Sequence, residues 1–171
     1  MELLRKVAEF TTSKEDKKII YIQYIRSILE QSCVVWHSSL SKENSQDLER
    51  VQKAAVRIIM GKDYKNYEDA LDKIGLDSLI DRRESLSLRF AKKCVESENE
   101  RCNEIFKHKQ KPHTMKTRKE EYFTVKYANT ERLKKSAVPY LQRLLNHSKS
   151  EIEKRKIKNE TSERNIRRKP G

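Results

Sequence analysis

Three long stretches of the sequence carry apolar residues at helical spacing, and each stretch follows a serine of the kind that caps helices. The predicted helices lie near residues 13–32, 42–60 and 78–96. Three Gly and three Pro in the whole chain supply far fewer tight turns than an all-β sandwich or barrel needs. We therefore predict an all-α fold, an amphipathic helix bundle.

Weaker patterns occupy the rest of the chain. A short helix is expected between the cap Asn66 and the stop Gly75, and two more between Thr130 and Leu145. Apolar and polar residues alternate near residues 122–128, which is a weak indication of a short strand.

The patterns divide the chain into three predicted regions. Residues 1–97 form a helical region, and residues 98–146 form a basic connector with a small C-terminal helical element. Residues 147–171 have no continuous apolar face and are predicted to be a basic, disordered tail. Because the helical pattern is already running at Met1 without a cap, we interpret the chain as cut from something longer.

The net charge of +13 is concentrated in two segments. Residues 107–119 carry six Lys/Arg and no acid, and residues 147–171 carry nine Lys/Arg and four acids. Concentrated positive charge favours a polyanionic partner, most often nucleic acid, although a solvated basic end is also common. Without an apolar leader or spanning run, and with three irregularly spaced cysteines, we expect an intracellular protein and no membrane partner.

Catalytic chemistry has no visible basis in the sequence. The acidic pairs Glu15–Asp16, Glu68–Asp69 and Glu120–Glu121 are neighbours in sequence, and neighbours on a helix point about 100° apart, so they do not converge on a metal. Phosphate-loop, dinucleotide-binding and HExxH motifs are lacking. We predict no catalytic residue and no cofactor.

Zinc is the one metal for which the sequence offers a set of candidate ligands. Cys94, Cys102, His108 and His113 provide four candidate ligands, but common zinc sites open with a close Cys pair, which this spacing lacks. Cys94 also falls on the apolar side of its predicted helix, where a cysteine acts as a small hydrophobe. We therefore predict no metal site.

Basic residues give the clearest candidate site. Arg50, Lys53 and Arg57 lie together on one side of the predicted helix 42–60 and form a stripe about 10 Å long, which suits a phosphate backbone. An ordinary solvated helix face is the alternative. The predicted nucleic-acid contacts are all Lys or Arg: Arg50, Lys53, Arg57, Arg82, Arg89, Lys93, Lys116, Arg118 and Lys119.

One further arginine points the wrong way for a surface contact. Arg83 falls on the apolar arc of the predicted helix 78–96, where an unpaired guanidinium would cost several kcal/mol. A carboxylate partner is therefore expected, and Glu68, Asp69 and Asp72 are the candidates nearest in sequence.

Five strings together resemble the region that follows the polymerase palm in non-LTR (LINE-type) retrotransposons of the Jockey, CR1 and RTE kind. They are YIRSILEQSCVVWHSSL (24–40), LERVQKAAVRIIMG (48–61), YEDALDKIGLDSLIDRRE (67–84), LSLRFAKKC (86–94) and NTERLKKSAVPYLQRLLN (129–146). The resemblance implies a reverse transcriptase whose aromatic-x-Asp-Asp palm motif is not in this sequence. The helical pair from Ser13 to Gly61 is similar to the thumb, which cradles the primer–template duplex, so the stripe would contact its backbone.

The function implied by the resemblance is that of a truncated, non-catalytic fragment of an RNA-directed DNA polymerase that retains weakly sequence-specific nucleic-acid binding. Two alternatives remain open. In the first alternative, the chain is a helical protein-interaction module that binds the missing palm domain or another protein through apolar surface around Ile20–Leu29. Alternatively, it is a remnant with no selected function.

Overall fold

A computed structural model describes residues 2–10, 13–106, 123–125 and 127–148. Within these ranges regular structure is helical, and the exception is an isolated bridge at Phe123. The predicted all-α fold is thus confirmed, and the described part of the weak strand pattern near 122–128 does not form a strand. The connector at 107–119 and residues 149–171 of the predicted tail lie outside the described residues, whereas residues 147–148, also predicted to belong to the tail, are the last residues of a helix.

The helices follow the predicted spans closely. Helix α2 is continuous over 14–30 and α3 is a single short turn, whereas α4 and α6 are the longest unbroken α-helices among the described residues. The helices are α1 (Glu2–Phe10), α2 (Lys14–Ile20, Tyr21–Arg26 and Ser27–Glu30), α3 (Cys33–Trp36), α4 (Lys42–Met60), α5 (Tyr67–Ile74), α6 (Leu79–Glu96), α7 (Glu100–Ile105), α8 (Glu131–Lys134) and α9 (137–148).

Capping residues explain why the helices begin and end where they do. Ser41 Oγ accepts a hydrogen bond from Asn44 N at 3.0 Å at the start of α4, and Ser78 Oγ accepts one from Asp81 N at 3.1 Å at the start of α6. Gly75 ends α5 in the left-handed conformation, with φ of +69°, which an L side chain rarely adopts. These local signals are legible in the sequence, which is why the predicted bounds agree with the observed ones.

Helix α2 contains a feature that the sequence pattern does not reveal. Residues Tyr21–Arg26 form a π-helical segment, in which the turns are wider than in an α-helix. The helix ends at Gln31, whose ψ of 122° lies outside the helical region, and Ser32 follows with a left-handed φ of +53° before α3 begins.

The chain divides into two compact units, 1–87 and 88–171, with the division inside α6. In the first unit α1, α2, α4 and α5 enclose one apolar core, with Ile20, Ile22 and Ile25 packed against its edge. The core residues are Leu4, Tyr21, Ala55, Val56, Ile59, Met60, Ala70, Leu71, Ile74 and Leu76. Among the described residues of the second unit, the buried apolar ones are Ala91, Cys94, Phe106, Phe123, Ala128, Leu141 and Leu145.

Candidate nucleic-acid interface

The basic stripe of α4 lies on the exposed side of a helix whose other side is locked into the core. Arg50, Lys53 and Arg57 are all exposed, whereas the inward positions of α4 hold buried residues such as Val56 and Ile59. Burial of about two turns of apolar surface orients the helix, so the three cations project from a rigid support. We call Arg50, Lys53 and Arg57 the α4 stripe.

Each cation of the α4 stripe has a weak local contact. Arg50 Nη1 lies 2.5 Å from Asp47 Oδ1, one turn away on the same helix, and its side chain is 72% exposed. Lys53 Nζ lies 5.8 Å from the centroid of the Tyr67 ring. Arg57 Cζ lies 5.3 Å from the centroid of the Tyr64 ring. Within the described residues no ion pair involves Lys53 or Arg57, so both remain available to an external anion.

A buried hydrogen-bond network fixes the aromatic ring under Lys53. The Tyr21 hydroxyl donates to Gln52 Oε1 at 2.6 Å, and Gln52 Nε2 donates to the Tyr67 hydroxyl at 3.0 Å and to the Asp77 carbonyl at 2.9 Å. The Tyr67 hydroxyl in turn donates to Glu49 Oε1 at 2.5 Å. Burial raises the pKa of both tyrosines, so they stay neutral and keep donating. The network therefore holds α2, α4 and α5 in one register.

Arg83 is fully buried, as its position on the apolar arc predicts. Its Nε donates to His37 Nδ1 at 3.4 Å, its Nη2 donates to Ser45 Oγ at 3.0 Å, and its Cζ lies 6.0 Å from the Trp36 ring centroid. Burial lowers the pKa of Arg83, and the nearby Glu49 carboxylate opposes that shift. Glu49 Oε2 and Arg83 Nη1 are both buried without a hydrogen-bond partner.

The three predicted carboxylate partners of Arg83 are therefore wrong. Glu68, Asp69 and Asp72 belong to α5, and Asp69 pairs instead with Lys73 at 2.8 Å. The residues that contact the guanidinium come from α3, α4 and the turn between them, far from Arg83 in sequence. Proximity along the chain was a poor guide because α6 packs its inner side against elements that precede α5.

The remaining predicted contact residues are spread over different environments. Arg82 is half-buried and forms an ion pair with Glu30, whose Oε1 also lies 3.5 Å from Arg26 Nε. Arg82 is thus committed to an internal carboxylate, whereas Arg89 and Lys93 are exposed on α6. The other predicted contacts, Lys116, Arg118 and Lys119, lie outside the described residues.

A second basic feature, which sequence reasoning missed, is a cleft of about 490 Å³ in the first unit. It opens between the start of α2, the turn after α4 and the end of α5. Its walls carry four lysines and two acids, and its lining residues are Lys14, Glu15, Met60, Lys62, Asp63, Lys65, Lys73 and Ile74. These residues follow no sequence periodicity, so no pattern along the chain could have grouped them.

Metal-ligand geometry is lacking in the part of the chain that the structure describes, where no three His, Cys, Asp or Glu residues come together in a metal-binding group. Cys94 is buried and Cys102 is half-buried, and burial followed by the neighbouring Cys102 thiol raises the pKa of Cys94. His108 and His113, the other residues weighed for zinc, lie outside the described residues.

None of the described helices combines the length and the apolar character that crossing a membrane requires. Comparison of the chain with protein-family models, with curated proteins and with solved structures gives no match.

Proposed function

We propose that this chain binds the sugar–phosphate backbone of nucleic acid through the α4 stripe, as a non-catalytic, thumb-like part of a non-LTR retrotransposon reverse transcriptase. The observation that carries the binding proposal is the exposure of Arg50, Lys53 and Arg57 on one side of a helix that the core holds rigid. The polymerase assignment rests on the sequence resemblance. On that assignment the chain binds primer–template without extending it.

Phosphate contact is the chemistry that these side chains favour. Arg50 can exchange its surface partner Asp47 for a phosphate at little cost, because exposed ion pairs contribute little to stability. The guanidinium of Arg57 and the ammonium of Lys53 form no ion pair within the described residues, so their N–H donors can bind an external phosphate. Contacts of this kind position a duplex and carry no base information, so weak sequence preference and steep salt dependence are expected.

A triple variant tests the proposal. Arg50→Ala, Lys53→Ala and Arg57→Ala together should flatten the slope of log affinity against log salt for a short duplex by about two to three units, near 0.9 for each phosphate that the variant no longer neutralises. The matched control is Arg5→Ala, Lys6→Ala and Lys42→Ala, three exposed cations elsewhere in the first unit, of which Lys6 is ion-paired with Glu2 much as Arg50 is with Asp47.

Two outcomes would count against the α4 stripe. An unchanged slope in the triple variant would make the stripe a solvated helix face, and an equal change in the control would reduce binding to net charge. Deleting residues 147–171 separates the diffuse contribution of the basic tail, and a stripe-dependent part of the slope should survive that deletion. Primer extension by the homogeneous chain would contradict the non-catalytic assignment.

Exposed apolar residues on α2 support a second candidate function, that of a protein-interaction module. Tyr24 is 58% exposed and Ile28 is 70% exposed, one turn apart on the same helix. A monomeric domain seldom presents large apolar side chains in such a group without a partner. A complex that survives nuclease and high salt, and is lost in Tyr24→Ser with Ile28→Ser, would favour this candidate over nucleic-acid binding.

A further inference from the structure

The lysine cleft of the first unit has more cations than its own carboxylates neutralise. Lys14 Nζ lies 2.5 Å from Asp63 Oδ2, and Lys73 Nζ lies 2.8 Å from Asp69 Oδ2. Lys62 and Lys65 form no ion pair within the described residues. Two of the four lysines that line the cleft are therefore left to interact with solvent or with an external anion.

Electrostatics inside the cleft favour an anion. Hydrogen bonding and charge from Lys14, together with the charge of Lys73, hold the pKa of Asp63 below its usual range. Asp63 thus stays ionised and paired with Lys14, and the four lysines and two acids of the lining leave the cleft with a net positive charge. A lysine ammonium is a compact, strongly hydrated charge that suits a phosphate group as a point contact.

The shape of the cleft also suits more than a bare ion. Met60 and Ile74 lie in its wall, and although both are mostly buried, the accessible part of each adds a small apolar surface beside the charged rim. A volume of about 490 Å³ falls within the range of small-molecule sites. A phosphate with an attached sugar or base matches this combination of an apolar surface and a cationic rim.

One contact connects the cleft with the α4 stripe. Arg57, the last cation of the stripe, stacks over the Tyr64 ring. Tyr64 lies between Asp63 and Lys65 in the turn after α4, and both of those neighbours line the cleft. The stripe therefore ends at a residue, Tyr64, whose two neighbours in sequence line the cleft.

We propose that the lysine cleft is a second phosphate-binding site, in which Lys62 and Lys65 bind a backbone phosphate of the same nucleic acid that lies along the α4 stripe. This inference rests on the proposed function and names a further part of its site. The cleft anchors one phosphate at the end of the stripe, and the apolar wall formed by Met60 and Ile74 contacts the adjoining sugar or base.

The test uses the full chain with Lys62→Gln and Lys65→Gln, singly and together. Both lysines are exposed, so the variants should fold. Lys42→Gln is the control for each single variant, because it removes the same charge at the opposite end of α4. For a short duplex we expect the double variant to flatten the log–log salt slope by about one unit, near 0.9 for the one phosphate that it no longer neutralises, each single variant by less, and Lys42→Gln to leave it unchanged.

Calorimetric titration with inorganic pyrophosphate at low salt probes the cleft without nucleic acid. Wild type and the triple stripe variant should both bind pyrophosphate, and the Lys62→Gln, Lys65→Gln double variant should lose most of that binding. If wild type binds duplex and the double variant binds it equally well, the cleft inference is overturned and the α4 stripe stands.

Two further outcomes distinguish a failure of the cleft inference from a failure of the proposed function. In the first, wild type binds pyrophosphate but not duplex, and the double variant loses the pyrophosphate binding. That result would overturn the proposed function and assign the cleft to a free phosphate compound. If Lys42→Gln weakens the binding of both duplex and pyrophosphate as much as the single cleft variants do, the effect is one of net charge alone. That result would overturn the cleft as a specific site.

Discussion

Among the described residues, buried bonds between two side chains are prominent in the first unit, whereas bonds between a side-chain amide and the backbone are prominent in the second. In the first unit, long-range bonds join side chains of different helices, as in the Tyr21–Gln52–Tyr67–Glu49 network and at the buried Arg83. In the second unit, side-chain amides bond to backbone. Gln142 Nε2 donates to the Ile105 carbonyl at 2.6 Å.

The clearest case in the second unit is a two-bond clamp on an irregular segment. Phe123 N donates to Asn146 Oδ1 at 2.8 Å, and Asn146 Nδ2 donates to the Phe123 carbonyl at 3.1 Å. One side chain of α9 thus serves both polar backbone groups of a buried residue that has no helix to satisfy them. Among the described residues, buried side-chain pairs between helices thus characterise the first unit, and side-chain amides that bond to backbone characterise the second.

The largest effect that this comparison predicts is at Arg83. Arg83→Ala should lower the free energy of unfolding by about 3–5 kcal/mol, because it leaves the buried carboxylate oxygen of Glu49 without its nearby cation and opens a cavity. Urea denaturation measures the change. A double variant, Arg83→Met with Glu49→Gln, should cost less than the sum of the two single variants. A change below about 1 kcal/mol in Arg83→Ala would show that buried charge does not hold this unit.

A smaller effect is expected from the clamp in the second unit. Asn146→Ala removes both bonds to the Phe123 backbone and should cost about 1–3 kcal/mol, the desolvation cost of unpaired polar groups. His147→Ala, an exposed neighbour on the same helix, should have no measurable effect. If thermal unfolding shows that Asn146→Ala lowers the free energy of unfolding as much as Arg83→Ala does, the distinction between the two units disappears.

The smallest effect depends on pH and concerns His37. Burial and the adjacent Arg83 lower the pKa of His37 in the folded state. The unfolded chain, with an ordinary histidine pKa of about 6.5, therefore takes up a proton first as the pH falls. Stability from this group is complete above about pH 6.5 and is lost on acidification toward the folded-state pKa, at no more than about 1.4 kcal/mol per pH unit.

Substitution of His37 separates this contribution from those of the carboxylates. His37→Asn keeps an acceptor near Arg83 Nε and removes the titration, so its stability should vary less between pH 7 and 5.5 than that of the wild type. His147→Asn removes an exposed imidazole of the second unit and should leave the wild-type dependence in place. A His37→Asn profile parallel to that of the wild type would argue against His37 as the titrating group.

The sequence by itself determined the helices, because their bounds depend on local chemistry. Ser41 and Ser78 cap the backbone N–H groups next to them, and Gly75 supplies a left-handed stop, so these positions could be identified without knowing the fold. The exposure of the α4 stripe followed from the same helical periodicity. Its proposed role in nucleic-acid binding is a prediction that the experiments above test.

Only the tertiary structure decided which residues meet across helices. The burial of Arg83 was predictable from one helix, but its partners His37 and Ser45 depend on how α6 packs against α3 and α4. The lysine cleft likewise joins Lys14, Lys65 and Lys73 from three separate elements. Such contacts come from the packing of whole helices, whose relative placement is set by many weak apolar contacts at once, and no single stretch of sequence encodes them.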